Sequence, residues 1–314
     1  MSGESSRGTE QSFQRSGVAV RKERVYKYIL LSCAALTVFV TFGIIGALIG
    51  DTLVFFQRVS ILDYLTGTHW EPAIKPYRFG VLPLVSGTLI ITIGSALVSL
   101  PIGLAAAIYL SEYASDRVRS VIKPALEVLA GVPTVVYGYF ALVYITPALR
   151  TFFPLGTFNA MSASVVVGIM IIPMVSSISE DAISSVPDSL REAAYGLGST
   201  KFDVSTKVVV PAAFSGVISS YVLALSRAIG ETMAVTIAAG QSPQMPYFPD
   251  VMKNFYESTE TITAAMVNIG LSDITGSTPA FYAMFALGLT LFVMTFSMNL
   301  IAEYIRNRYR EVYR

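Results

Sequence analysis

Six stretches of the chain run almost without Asp, Glu, Lys or Arg: 28–51, 84–110, 124–149, 160–179, 212–240 and 280–305. A helix needs roughly twenty apolar residues to cross about 30 Å of hydrocarbon, so each stretch predicts a membrane span. All are long enough to span with some tilt, and 160–179 is the shortest. Pro101, Pro133 and Pro173 fall inside these runs and predict kinks. Backbone groups freed by such kinks must be satisfied by neighbouring helices, side chains or water, so the spans are expected to pack on one another.

Basic residues orient the spans. Sixteen of the 22 fall in four segments that alternate with the rest: the tail 1–27, the connection holding Arg117, Arg119 and Lys123, the segment 180–211, and the tail 306–314. The opposite segments hold five, namely Arg58, Lys75, Arg78, Arg150 and Lys253, and Arg227 lies inside a span. The positive-inside rule then puts both termini in the cytoplasm, in agreement with an even number of spans. Residues 1–17 are rich in Ser, Gly, Gln and Arg and are expected to be disordered. The apolar run after them is too long for a signal-peptide core and reads as a retained first helix. The expectation is therefore an all-α, six-span protein of a bacterial-type cell membrane. Its membrane domain is 28–305, with a large cytoplasmic loop at 180–211 and a basic tail at 306–314.

Composition agrees. Of 314 residues 53% are apolar and only 14% charged, with a mean hydropathy of +0.60. Such a chain cannot easily coat a globular surface, and a net charge of +1 offers no field for a polyanion. A single cysteine, Cys33, excludes an intrachain disulfide and a cysteine metal site, and a single histidine, His69, argues against a histidine cluster. No nucleophile–base pair or metal constellation is visible, so no catalytic residue is assigned. Glu127 is a lone carboxylate, read as an interfacial or subunit contact. Trp70, Tyr247, Phe248, Phe255 and Tyr256 lie in outer connections, where an interfacial belt and a docking surface are equally open.

The segment 180–211 is too long for a simple connector. Ser185-Val-Pro-Asp188 and Thr200-Lys-Phe-Asp203 fit capping boxes that start two short helices, the first containing Leu190, Glu192, Ala193, Ala194 and Leu197 and ending near Gly196 and Gly198. Ala193 and Ala194 leave a bare surface for another protein; the alternative is a helix lying on lipid headgroups.

Arg227 and Glu231 are the charges inside 212–240. At about 100° per residue, Gly216, Ser220, Ala224, Arg227, Glu231, Ala234 and Ala238 would share one face of a continuous helix, with Phe214, Ile218, Val222, Leu225 and Ile229 opposite. A charged stripe flanked by small residues suits the wall of a polar cavity, and charges at this depth usually mark a solute path. A structural Arg–Glu pair is the alternative. An arginine fork binds phosphate or carboxylate through two hydrogen bonds, and Glu231 would hold that fork and weaken capture of a dianion. Ser220 and Thr232 complete the expected path.

Two sets of residues resemble a known family. Glu192-Ala-Ala194, Gly198 and Val208-x-Val-Pro211 resemble the EAA loop of type I ABC importer permeases, with valines where isoleucine and leucine are usual. Ser226-Arg-Ala-Ile-Gly-Glu-Thr-Met233 resembles the fifth-helix motif of the phosphate-specific permeases. Leu65-Thr-Gly-Thr-His-Trp70, Phe79-Gly-Val-Leu-Pro-Leu84, Tyr109-Leu-Ser-Glu-Tyr113 and Gly131-Val-Pro-Thr-Val-Val-Tyr-Gly138 point to the PstC branch. The resemblance runs from about Tyr28 to Ile305.

It implies ATP-driven phosphate import by alternating access. A PstA-like second permease, a PstB-like ATPase dimer and a PstS-like external phosphate-binding protein would be the partners. Arg227 and Glu231 would lie on the phosphate path. Leu190, Glu192, Ala193, Ala194, Leu197 and Gly198 would form the coupling helix. ATP and Mg would sit on the partner ATPase, since this chain has no phosphate-binding G-x-x-x-x-G-K-[ST] loop. Rival readings are a sulfate or molybdate permease, a stand-alone secondary transporter or channel, and a membrane scaffold or phosphate sensor.

Overall fold

The computed structural model describes residues 17–272, 276 and 278–308, and these are mainly helical. Residues up to Gly50 and residues from Asp51 onward form two compact units. Helix α1 runs Gly17–Phe56, so it starts before residue 28 and passes residue 51; the disorder expected for 1–16 falls outside the described residues. Its Leu30, Phe39 and Phe42 are exposed, as an apolar helix meant for lipid requires.

The second unit continues with α2 (Ile61–Thr66) and a hairpin, β1 (Trp70–Glu71) and β2 (Arg78–Phe79), which pairs Trp70 with Phe79. Then come α3 (Leu82–Ile108), α4 (Asp116–Ala130), α5 (Thr134–Phe140), α6 (Thr146–Arg150) and α7 (Ala160–Ser184). The remainder is α8 (Asp188–Gly196), α9 (Lys201–Asp203), α10 (Val210–Ala212), α11 (Phe214–Ile229), α12 (Met233–Ala238), α13 (Lys253–Tyr256), α14 (Ile262–Leu271) and α15 (Pro279–Arg308). Wide π turns at Tyr109–Tyr113, Ala141–Ile145 and Val204–Val209 join several of these.

Among the described residues four helices are long and apolar enough to cross a membrane: Lys22–Phe56, Leu82–Tyr113, Ala160–Ser184 and Pro279–Arg308. Two further candidates are bent pairs, Asp116–Ala130 with Thr134–Arg150 at 89° and Lys201–Ala212 with Phe214–Ile229 at 71°. The run 124–149 is therefore not one rod. Pro133 cannot donate a helical hydrogen bond, and the chain turns at Gly131-Val-Pro133. Before the turn α4 carries Asp116, Arg117, Arg119, Lys123 and Glu127 and buries no residue, and the more apolar part of the run falls in α5 and α6. Pro101 and Pro173, by contrast, stay within α3 and α7.

The shortest predicted span is the centre of the second unit. Val166, Val167 and Val175 on α7 have no exposed surface, and α3, α11, α4 and α12 pack around it. This explains its many small residues, which admit neighbouring backbones closely. At Gly168 a Cβ would stand 2.8 Å from Val98 Cβ and 3.1 Å from the Ser95 carbonyl of α3. A second core gathers Phe55, Tyr64, Trp70, Phe79, Ile262 and Leu287. Trp70 is thus neither belt nor docking surface: it is 5% exposed and sits edge-on to Phe79 at 6.1 Å. Tyr247 and Phe248 are exposed, Phe248 at 80%.

Candidate translocation and coupling sites

The two helices expected in 180–211 are present, but only one of their capping boxes forms. Ser185 turns back to donate to the Ala182 carbonyl, and Pro187 occupies the cap of α8. At α9 the Thr200 hydroxyl accepts from the Asp203 amide at 3.2 Å and donates to the Asp203 carboxylate at 2.6 Å. Lys207, 2.6 Å from Asp203, and then Thr200 hold that carboxyl below its ordinary pKa. Helix α8 ends at Gly198, whose φ of +84° is open to glycine at little cost.

The candidate coupling residues divide between two faces of α8. Glu192, Ala193, Leu197 and Gly198 are exposed, Leu197 at 88%. Ala194 is buried, and with half-buried Leu190 it packs on Ile183, Val186, Val204 and Val209. The bare surface expected of both alanines therefore belongs to Ala193 alone.

The run 212–240 does not form the continuous helix expected of it. The backbone ladder of α11 closes with Gly230 N–H on Ser226 O at 3.2 Å, and a new one begins with Thr236 N–H on Thr232 O at 2.9 Å. Between them Glu231, 5% exposed, turns its carboxylate to the first turn of α12 and accepts the Ala234 amide at 3.2 Å. An acidic group suits the free N–H groups at a helix start. Its backbone carbonyl accepts the Thr263 hydroxyl at 2.7 Å. Thr232 donates to Gly230 O at 3.2 Å.

Two expectations change as a result. First, among the described residues no ion pair joins Glu231 to Arg227, so Glu231 does not hold the arginine fork. Arg227 is exposed, and its guanidinium has no hydrogen-bond or ion-pair partner among the described residues. Second, among the described residues the small-residue face is a packing face. Ser220 is fully buried, bonded to Ser179 of α7 at 2.7 Å and donating to Val217 O. Ala224, Ala234 and Ala238 lie in the central core. Arg227 stands at the edge of that buried strip, on the side shared with exposed Leu223.

Sequence reading missed α14 and what it holds. Thr261 caps α14 by accepting the Ala264 amide at 3.2 Å and is 3.0 Å from the Thr263 hydroxyl, which reaches Glu231. Thr88 of α3 accepts the Ile262 amide at 3.1 Å. The signal was available: a threonine cap before a mainly apolar stretch of ten residues, too short to span, predicts a re-entrant or buried helix. Beside α14, Glu260 is 4% exposed, with its carboxylate 2.5 Å from the Asn268 amide nitrogen. Burial pushes its pKa up to about 7, against a smaller lowering by Asn268.

Comparison with known proteins supplies the family. A family model described as binding-protein-dependent transport system inner membrane component matches residues 99–311. A probable ABC transporter permease protein of Bacillus subtilis, YqgH, is 35% identical over 80% of this chain and 79% of its own. The phosphate transport system permease protein PstC of Mesorhizobium japonicum is 32% identical over 78% of each chain. Among solved structures, a bacterial ABC transporter for import of the acidic polysaccharide alginate superposes with a TM-score of 0.64 at 16% identity, over 92% of this chain and 99% of that one, and so shares the fold. The chain belongs to the binding-protein-dependent transport system inner membrane component family, as a multi-pass type I ABC importer permease close to PstC.

Proposed function

We propose that the chain is the PstC-like half of an ATP-driven phosphate importer of a bacterial inner membrane, with six spans and both termini in the cytoplasm. A PstA-like permease would complete the path, and an external phosphate-binding protein would deliver the solute. A PstB-like ATPase dimer, carrying ATP and Mg, would dock on α8 and alternate the path between its two openings. PstC relatives align with most of the chain, and a PstA protein of Mycobacterium bovis is 34% identical over 57% of it.

The observation that carries the reading is Arg227. A permanent cation on an apolar helix, exposed and unpaired among the described residues, costs several kcal/mol in lipid unless water or an anion meets it. An edge position on α11 leaves it for the surface that a second permease would cover. Because Glu231 is committed to α12, the arginine is free to take an oxyanion through its planar fork. Thr232 stands at the same break; Ser220, spent on Ser179, serves the packing behind it. On α8, Leu197, Ala193, Glu192 and Gly198 present the docking surface, backed by Leu190 and Ala194.

Phosphate-stimulated ATP hydrolysis and uptake by the complex in proteoliposomes test this. Arg227→Gln is expected to lower both about ten- to a hundredfold, the worth of a charged hydrogen bond, with complex recovery unchanged. Native uptake by that variant would remove Arg227 from the path. Preference for sulfate or molybdate in competition would replace the solute.

A further inference from the structure

We propose that Arg191 is the joint through which the coupling helix moves the second span, α3; this rests on the reading of α8 as the ATPase-coupling helix. Its guanidinium gathers the start of α8, the connection before it, the last turn of α7 and the turn that follows α3. Nη1 donates to Val186 O at 2.6 Å and to Asp188 Oδ1 at 3.0 Å. Nη2 donates to Ile183 O at 3.0 Å, in the last turn of α7. Those three partners are local in sequence and would suffice to hold α8 beneath α7. The fourth is not: Nη2 and Nε both reach Glu112 Oε1, at 2.9 and 3.3 Å, across 79 residues of chain. The two side chains are 15% and 6% exposed.

Glu112 owes its position to the π turn Tyr109–Tyr113, which widens the end of α3. Such turns are frequent at functional sites. Two more cations grip the same turn. Arg119 of α4 donates to Leu110 O at 3.1 and 2.6 Å and to Ser111 O at 3.2 Å. Lys201 of α9 stands 4.9 Å over the Tyr113 ring. Among the described residues Arg191 alone ties the side-chain carboxylate of this turn to the coupling helix.

The mechanical sense follows from connectivity. Segment 180–211 is joined through the chain to α7 and α11 but not to α3. Apolar packing between α3 and α7 resists compression yet allows packed helices to slide. A shielded ion pair at their shared end fixes that axial register, is little screened by salt, and leaves an unmatched buried charge when one partner is lost.

The test uses the assembled complex in proteoliposomes with Cys33→Ser and Ser86→Cys, Ser86 being half-buried near the far end of α3. The readout is maleimide labelling with and without a non-hydrolysable ATP analogue. The native pair is expected to give a nucleotide effect of about fivefold or more, and Arg191→Gln or Glu112→Gln an effect below about twofold. The double variant should match either single one. Arg191→Lys, which keeps the charge on Glu112, should recover most of the effect, and it carries the test if the Gln variants do not assemble. A native-sized effect in Glu112→Gln, losses that multiply in the double variant, an Arg191→Lys as defective as Arg191→Gln, or no nucleotide effect in the native protein would each overturn the joint. A native nucleotide effect lost in both Gln variants, together with no phosphate uptake by the native complex, would instead uphold the joint and refute the solute.

Discussion

Replacing Glu260 by Gln should flatten the pH dependence of stability between about pH 4.5 and 7. The carboxyl is 4% exposed in the connection between α12 and α14, and the influences on it are burial, which dominates, and the Asn268 amide. Its pKa rises from 4.5 to about 7 in the folded chain. Below pH 4.5 both folded and unfolded chains carry the proton, and the group adds no pH dependence. As pH climbs past 4.5 the unfolded chain releases its proton while the folded chain keeps it, so stability falls; above about 7 both have released it and the loss is complete. The difference amounts to about 3 kcal/mol. Glutamine retains an oxygen for Asn268 and never ionises, so Glu260→Gln should match the native protein near pH 4.5 and exceed it by that amount at pH 8. Thermal unfolding of the detergent-solubilised complex from pH 5 to 8 should show a gap that widens to about 5 °C or more. Parallel curves across that range would mean that Glu260 is already paired or hydrated in the assembly. Because Glu260 adjoins Thr261, whose hydroxyl meets that of Thr263 and through it the Glu231 carbonyl, the native protein should also loosen near the break at alkaline pH.

The two alanines of the coupling helix should separate experimentally. Ala193→Trp is expected to leave the chain stable but abolish ATPase co-purification, whereas Ala194→Trp should overpack the core under α8 and cost about 1–3 kcal/mol in unfolding experiments. Equal behaviour would contradict the two-faced helix. Gly168→Val should force α3 from α7 and destabilise the chain by a similar 1–3 kcal/mol, read as reduced detergent stability. An unshifted melting temperature would refute the close approach.

What was legible depended on range. The charge-poor runs located every long apolar helix, because the requirement for twenty apolar residues acts on contiguous sequence. Thr200 and Asp203 were readable for the same reason: a capping box closes within four residues. Breaks were harder. Pro133 stands at a break between two helices while Pro101 and Pro173 lie inside theirs, and the residue type alone does not separate the two cases. The face of Ser220, Ala224 and Ala234 was found correctly by periodicity, but small residues serve a solute and a neighbouring helix equally well. Only the position of α7 decides between them. Periodicity also assumed a continuous helix through Gly230, so Arg227 and Glu231 were paired on paper; a carboxylate can instead cap the helix that follows it. The Arg191–Glu112 contact had no signature, since nothing local marks two residues so far apart as partners.

The interruption at Gly230–Thr232 divides responsibility along one span. Upstream, α11 carries the free cation and leads back through a sharp elbow to the segment that would feel the ATPase. Downstream, α12 begins from a carboxylate whose own peptide is moored to α14. A tilt of the first rod need not drag the second with it, since the backbone ladder stops on one side of the break and restarts on the other. The chain would thus own a swivel within this run, with the arginine on the arm free to tilt and the carboxylate on the arm moored to α14.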